Sequence, residues 1–153
     1  MNDAVKTYLR FAAMIAASTA VMFGLTYVNS YSLGHVFFSE TRLYMSLLMG
    51  AAMAVVMLTF MLHMHTSRRA NVAIYVASAL LFAASLWLVR SQATVGDVSY
   101  MRAMIPHHSI AILTSERARI DDPRVRDLAD RIIAAQREEI DEMKAYIADL
   151  EGE

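Results

Sequence analysis

The run MRAMIPHHSIAI, residues 101–112, sets two methionines, a proline and a histidine pair within eight positions. On a helix, residues at i, i+3 and i+7 share a face, and Met101, Met104 and His108 have that spacing. His107 lies three positions after Met104 and about 100° around the helix from His108. Further on, Gln136, Glu139 and Met143 repeat the i, i+3, i+7 pattern. Thioether and imidazole together suit Cu(I), because a methionine sulfur is soft, uncharged and needs no deprotonation. Ag(I) would bind similarly, and Zn²⁺ would draw on histidine with the Glu139 carboxylate. The donors are then Met101, Met104, His107, His108 and Met143, with Gln136 and Glu139 orienting the histidines from behind. A different use of the same residues is packing. Methionine fills irregular gaps in a core, and a histidine facing Gln136 can fix the register of a helical assembly with no metal.

A second constellation lies upstream. Met45, Met49, Met53, Met57 and Met61 recur every fourth residue, and His65 follows at the same step. Four residues overshoot a turn by about 40°, so the row spirals around its helix. It reads as a thioether ladder or as apolar packing in lipid. MLHMH, with Met61, His63, Met64 and His65, is a weaker second candidate metal site. His35, in the outer loop with Tyr31 and Phe37, either approaches the outer domain or sits in the membrane interface, and the sequence does not decide.

The elements that position these residues follow from composition. Of 153 residues, 57% are hydrophobic, high for a soluble domain. Residues 11–28, 43–62 and 72–89 carry no charge, and each is long enough to cross a ~30 Å hydrocarbon layer as a helix. The charge divides as well. Residues 1–95 hold six basic and two acidic side chains, whereas residues 96–153 hold eight basic and thirteen acidic. The chain therefore reads as a three-span membrane domain, 1–95, and an extracytoplasmic helical-hairpin domain, 96–153. Lys6 and Arg10 at one end, and Arg68 and Arg69 in the second connection, place the N-terminus in the cytoplasm. Tyr27, Tyr31, Tyr44 and Trp87 then gather at the outer interface. The expected setting is a bacterial inner membrane, with the C-terminal domain periplasmic or extracellular. With no cysteine, thiolate metal sites and disulfides are excluded.

The outer segment reads as two helices, from about Val98 to Arg119 and from Pro123 to Leu150. Pro106 predicts a kink or late start in the first. Asp122 is a candidate N-cap, with Pro123 at the first helical position. The second helix has an apolar stripe of Val125, Leu128, Ile132, Ile140, Met143, Ile147 and Leu150. The short turn makes an antiparallel hairpin, which sets His107 and His108 near Gln136 and Glu139. Two helices alone enclose little core. The fold class is all-α, with three transmembrane helices and a hairpin that completes a helical bundle by homo-oligomerisation, as a dimer or a trimer.

MRAMIPHHSIAILTSERA followed by LADRIIAAQREEIDEMKAYI resembles the domain of unknown function 305 family. The shared elements are M-x-x-M-I-P-H-H and, on the next helix, Q-x-x-E-I-x-x-M, and the match covers about residues 97–150. The resemblance implies a ferritin-like helical bundle, usually exported or membrane-anchored, and an association of some members with copper or silver handling. Its characteristic residues fall on Met101, Met104, His107, His108, Gln136, Glu139 and Met143. No phosphate loop, nucleophile elbow or H-E-x-x-H is present, so an enzyme is not expected. The acidic outer domain argues against nucleic acid. The expected function is membrane-anchored Cu(I) or Ag(I) binding outside the cytoplasm, with the lipid bilayer and a copper-handling protein as partners. The alternatives are a non-metal assembly module and a subunit of a channel or transporter.

Overall fold

The computed structural model describes residues 3–152. They form five α-helices: α1 (Asp3–Leu25), α2 (Glu40–Phe60), α3 (Arg68–Ser91), α4 (Asp97–Arg117) and α5 (Pro123–Glu151), with short 3₁₀ turns at Leu33–His35 and Leu62–Met64. Among the described residues there is no strand. The chain divides into two compact units. One holds α1 and residues 41–94. The other holds residues 26–40 together with α4 and α5. The first connection, expected to belong with the spans, thus packs with the hairpin.

In the first unit, α1, α2 and α3 are each long and apolar enough to cross a membrane. The helices begin earlier than the uncharged runs, at Asp3, Glu40 and Arg68, because helical hydrogen bonding continues beyond the apolar stretch. The Ser67 hydroxyl caps α3 by accepting from the Ala70 amide. Val21, Val76, Leu80 and Trp87 are exposed, as side chains that face lipid would be. Phe11, Ala54 and Leu58 form the buried cluster, with Met14, Ile15, Met57, Met61, Ile74 and Tyr75 packed against it. Small residues bring the helices together: Gly50 of α2 lies directly against Thr19 of α1.

In the second unit, α4 and α5 form the antiparallel hairpin. Arg102, early in α4, meets Glu151 at the end of α5 at 2.7 Å, and Glu116, late in α4, pairs with Arg137. The turn between them is built as its residues dictate. Asp122 Oδ1 accepts from the Arg124 amide at 2.9 Å, and Pro123 opens α5. Pro106 is buried inside a helix that starts at Asp97 and runs through to Arg117, so of the kink or late start expected of it, the late start does not occur.

The core is Met101, Ile105, Ile112, Ile140 and Ile147, with Phe37, Val98, Ile133 and Met143 packed on it. The inward face of α5 is Ala129, Ile133, Ile140, Met143 and Ile147, with Gln136 half-buried on the same line. Val125, Leu128, Ile132 and Leu150, the other members of the apolar stripe, are exposed in the single chain. Ala129 takes the inward position at the turn in place of Leu128 or Ile132.

Candidate metal centre

Position 108 faces α5 from the middle of α4. His108 Nε2 lies 2.6 Å from Glu139 Oε2, and the His108 side chain is 12% exposed. Gln136 Nε2 donates to the same carboxylate oxygen at 3.3 Å. An ionised carboxylate only accepts, so the imidazole presents Nε2–H to Glu139. The other ring nitrogen, Nδ1, is buried and has no hydrogen-bond partner. This is the polarity of a metal-binding histidine, in which a carboxylate fixes the ring by one nitrogen and leaves the other free to ligate.

Met101 is 7% exposed, and Met143 packs against the cluster that contains it. Both methionines line a cavity of about 470 Å³ with Asp97, Tyr100, Tyr146, Asp149 and Leu150. Met104 is half-buried, one turn before His108 on the same helix. His107 is exposed, its ring centroid 6.1 Å from that of His108. The structure thus brings His108, Glu139 and Gln136 into one hydrogen-bonded set and Met101 and Met143 into one cluster. His107 stands at the rim. Among the described residues no three His, Asp or Glu side chains are placed to hold a metal ion together. A metal centre in this hairpin would therefore draw on thioether sulfur.

The residue after His108 does different work. Ser109 is fully buried. Its hydroxyl accepts from the Tyr31 amide at 2.7 Å and shares a 3.0 Å hydrogen bond with His35 Nδ1. Tyr27 and Tyr31 bond within this unit too. The Tyr27 hydroxyl accepts from the Ser39 amide, and that of Tyr31 donates to Glu116 at 3.4 Å. Ser99 donates to Glu40 at 2.7 Å, and Phe37 enters the core. Burial holds the His35 imidazole below its ordinary value of 6.5; Lys144 adds to this and Asp141 opposes it. Sequence reasoning left His35 between the outer domain and the membrane interface and passed over Ser109, which looks like one more small residue on a helix.

The residues of MLHMH differ in burial. His63 and Met64 are exposed, whereas His65 is 2% exposed.

The family model described as Domain of unknown function (DUF305) matches residues 97–153, a range that includes α4, α5 and the turn between them. An uncharacterized protein of Acanthamoeba polyphaga mimivirus is 30% identical over 152 residues, covering 96% of this chain and 93% of that protein. The likeness therefore extends over the apolar helices as well as the hairpin. No solved structure matches the chain.

Proposed function

The chain belongs to the DUF305 family, and from that premise we propose that it is a membrane-anchored binder of Cu(I), or Ag(I), acting in copper handling outside the cytoplasm. The observation that carries this reading is His108. Its Nε2 is held by Glu139, and its Nδ1 is buried with no hydrogen-bond partner. Met104 one turn earlier, the Met101–Met143 pair and His107 at the rim supply the remaining soft donors, all neutral and suited to a monovalent soft cation. The ion is cargo here, held and passed to a copper-handling partner. The basic residues at Lys6, Arg10, Arg68 and Arg69 favour a cytoplasmic N-terminus, with the hairpin on the opposite side of the bilayer.

The test is a Cu(I) competition titration of the full-length protein in detergent, under reducing conditions, against a colorimetric chelator. The wild type should bind tightly, and the His107→Ala, His108→Ala double variant should lose the equivalent held by the hairpin. Equal binding by the two proteins, or none by either, overturns the reading.

A second reading has its own support. Val125, Leu128 and Ile132 form an exposed apolar stripe on α5, which suits a helical assembly of two or three copies. In that case the same double variant loosens the oligomer, and copper has no effect on it.

A further inference from the structure

His65 is buried in the segment that joins α2 to α3, and its ring is held on several sides. Its Nδ1 lies 2.9 Å from the Met61 carbonyl oxygen. A carbonyl only accepts, so Nδ1 carries the hydrogen and Nε2 presents the lone pair. Nε2 is buried and has no partner. The rings of Tyr8 and Phe11 stand roughly perpendicular to the imidazole, with centroids at 4.9 and 5.2 Å. The backbone around it is fixed by a chain of hydrogen bonds. Asn71 Nδ2 donates to the His65 carbonyl at 2.8 Å, the Tyr8 hydroxyl donates to Asn71 Oδ1 at 2.7 Å, and the Ser67 amide donates to that hydroxyl at 3.2 Å. A network this complete that leaves out one buried lone pair calls for an explanation.

The surroundings supply one. Phe11, against the imidazole, belongs to the cluster on which Met14, Met57 and Met61 pack. Methionines of α1, of α2 and of the residue that follows α2 thus pack against the same cluster whose Phe11 touches the imidazole. No carboxylate belongs to that cluster, and every donor is neutral and soft. Such a set discriminates against Zn²⁺ and Mg²⁺ and suits a monovalent d¹⁰ ion of two to four ligands. We propose a second Cu(I) or Ag(I) site, buried where α2 gives way to α3, with His65 Nε2 and the thioethers of Met14, Met57 and Met61 as its donors. It differs from the MLHMH reading, since His63 and Met64 are exposed and Met14 comes from another helix. It also places the last two rungs of the methionine row, Met57 and Met61, in a role that apolar filling does not require.

The site shares its cargo with the hairpin centre but stands on residues of its own, so the two are tested separately. The parent is the full-length His107→Ala, His108→Ala protein in detergent, titrated with Cu(I) against the chelator. It should retain one equivalent, with sulfur and nitrogen scattering at the copper absorption edge. Adding Met57→Leu and Met61→Leu, which conserve volume, should weaken that equivalent at least tenfold and reduce the sulfur scattering. Helical content and elution volume should stay unchanged. Adding His65→Gln instead should remove the nitrogen scattering. A parent that binds no Cu(I) overturns the proposal, as does a methionine variant that binds as the parent does. Failure of the hairpin reading looks different: wild type and parent then bind the same single equivalent, and the Met57→Leu, Met61→Leu change still weakens it.

Discussion

His108 and Glu139, 31 residues apart in sequence, meet at 2.6 Å across the hairpin, and Gln136 holds the same carboxylate oxygen from one turn away. Glu139→Gln keeps the shape of the side chain but removes the charge that polarises the imidazole. It should lower Cu(I) affinity of the hairpin centre about 10- to 100-fold without abolishing binding, whereas His108→Ala should abolish it. Competition titration in a Met57→Leu, Met61→Leu background isolates this centre. Unchanged affinity for Glu139→Gln would make the pair a structural contact only.

The latch between residues 26–40 and α4 should be pH-dependent. His35 sits below its ordinary value of 6.5, chiefly through burial and then through Lys144. As pH falls the unfolded chain takes up the proton first. The contribution of the neutral ring is therefore complete above about 6.5 and is lost as pH falls through that value toward the lowered folded one. Protonation places a positive charge on a half-buried ring that already feels Lys144, which disfavours its packing against Ser109. Exchange of the Tyr31 amide, corrected for intrinsic pH dependence, should accelerate as pH falls below about 6.5. His35→Leu should flatten that profile. A flat profile in the wild type would contradict the prediction.

Two apolar positions on α5 should respond in opposite ways. Ile140 is 1% exposed at the centre of the hairpin core, and Ile140→Ala should cost about 2–5 kcal/mol. Leu128 is 48% exposed, and Leu128→Ala should stay within about 0.5 kcal/mol. Thermal unfolding at several protein concentrations measures both. A large, concentration-dependent cost at Leu128 would favour pairing of copies through the outer stripe.

Gly50→Ala should disturb the packing of α1 against α2. A Cβ at position 50 would fall within van der Waals contact of Thr19 Oγ1, and that hydroxyl is held by the Ile15 carbonyl at 2.8 Å. Thr19→Ala combined with Gly50→Ala should recover most of the stability lost in the single variant. Unfolding in detergent gives the coupling, and strict additivity of the two changes would refute the contact.

The parts of the fold legible in the sequence were those with a local signal. The uncharged runs marked the three apolar helices, and Asp122 with Pro123 marked the start of α5. Antiparallel geometry then set His108 against Glu139. Local signals also misled. Val125, Leu128 and Ile132 have helical spacing, yet the inward line passes through Ala129 and Ile133, because a small side chain occupies the inward position beside the turn. The partnership of His35 with Ser109 spans 74 residues and leaves no periodic trace, so the grouping of residues 26–40 with the hairpin could not be read. Met14 in the cluster with Met57 and Met61 was hidden for the same reason.

His108 and Ser109 are neighbours on α4, and helix geometry turns them about 100° apart. One is tied to α5 and the other to the Tyr31–His35 segment. Rolling α4 about its long axis in either direction would pull on both ties at once. The two flanks of the hairpin are in effect geared through a single helical rod, and a disturbance at the Ser109 latch reaches the imidazole beside it as torque.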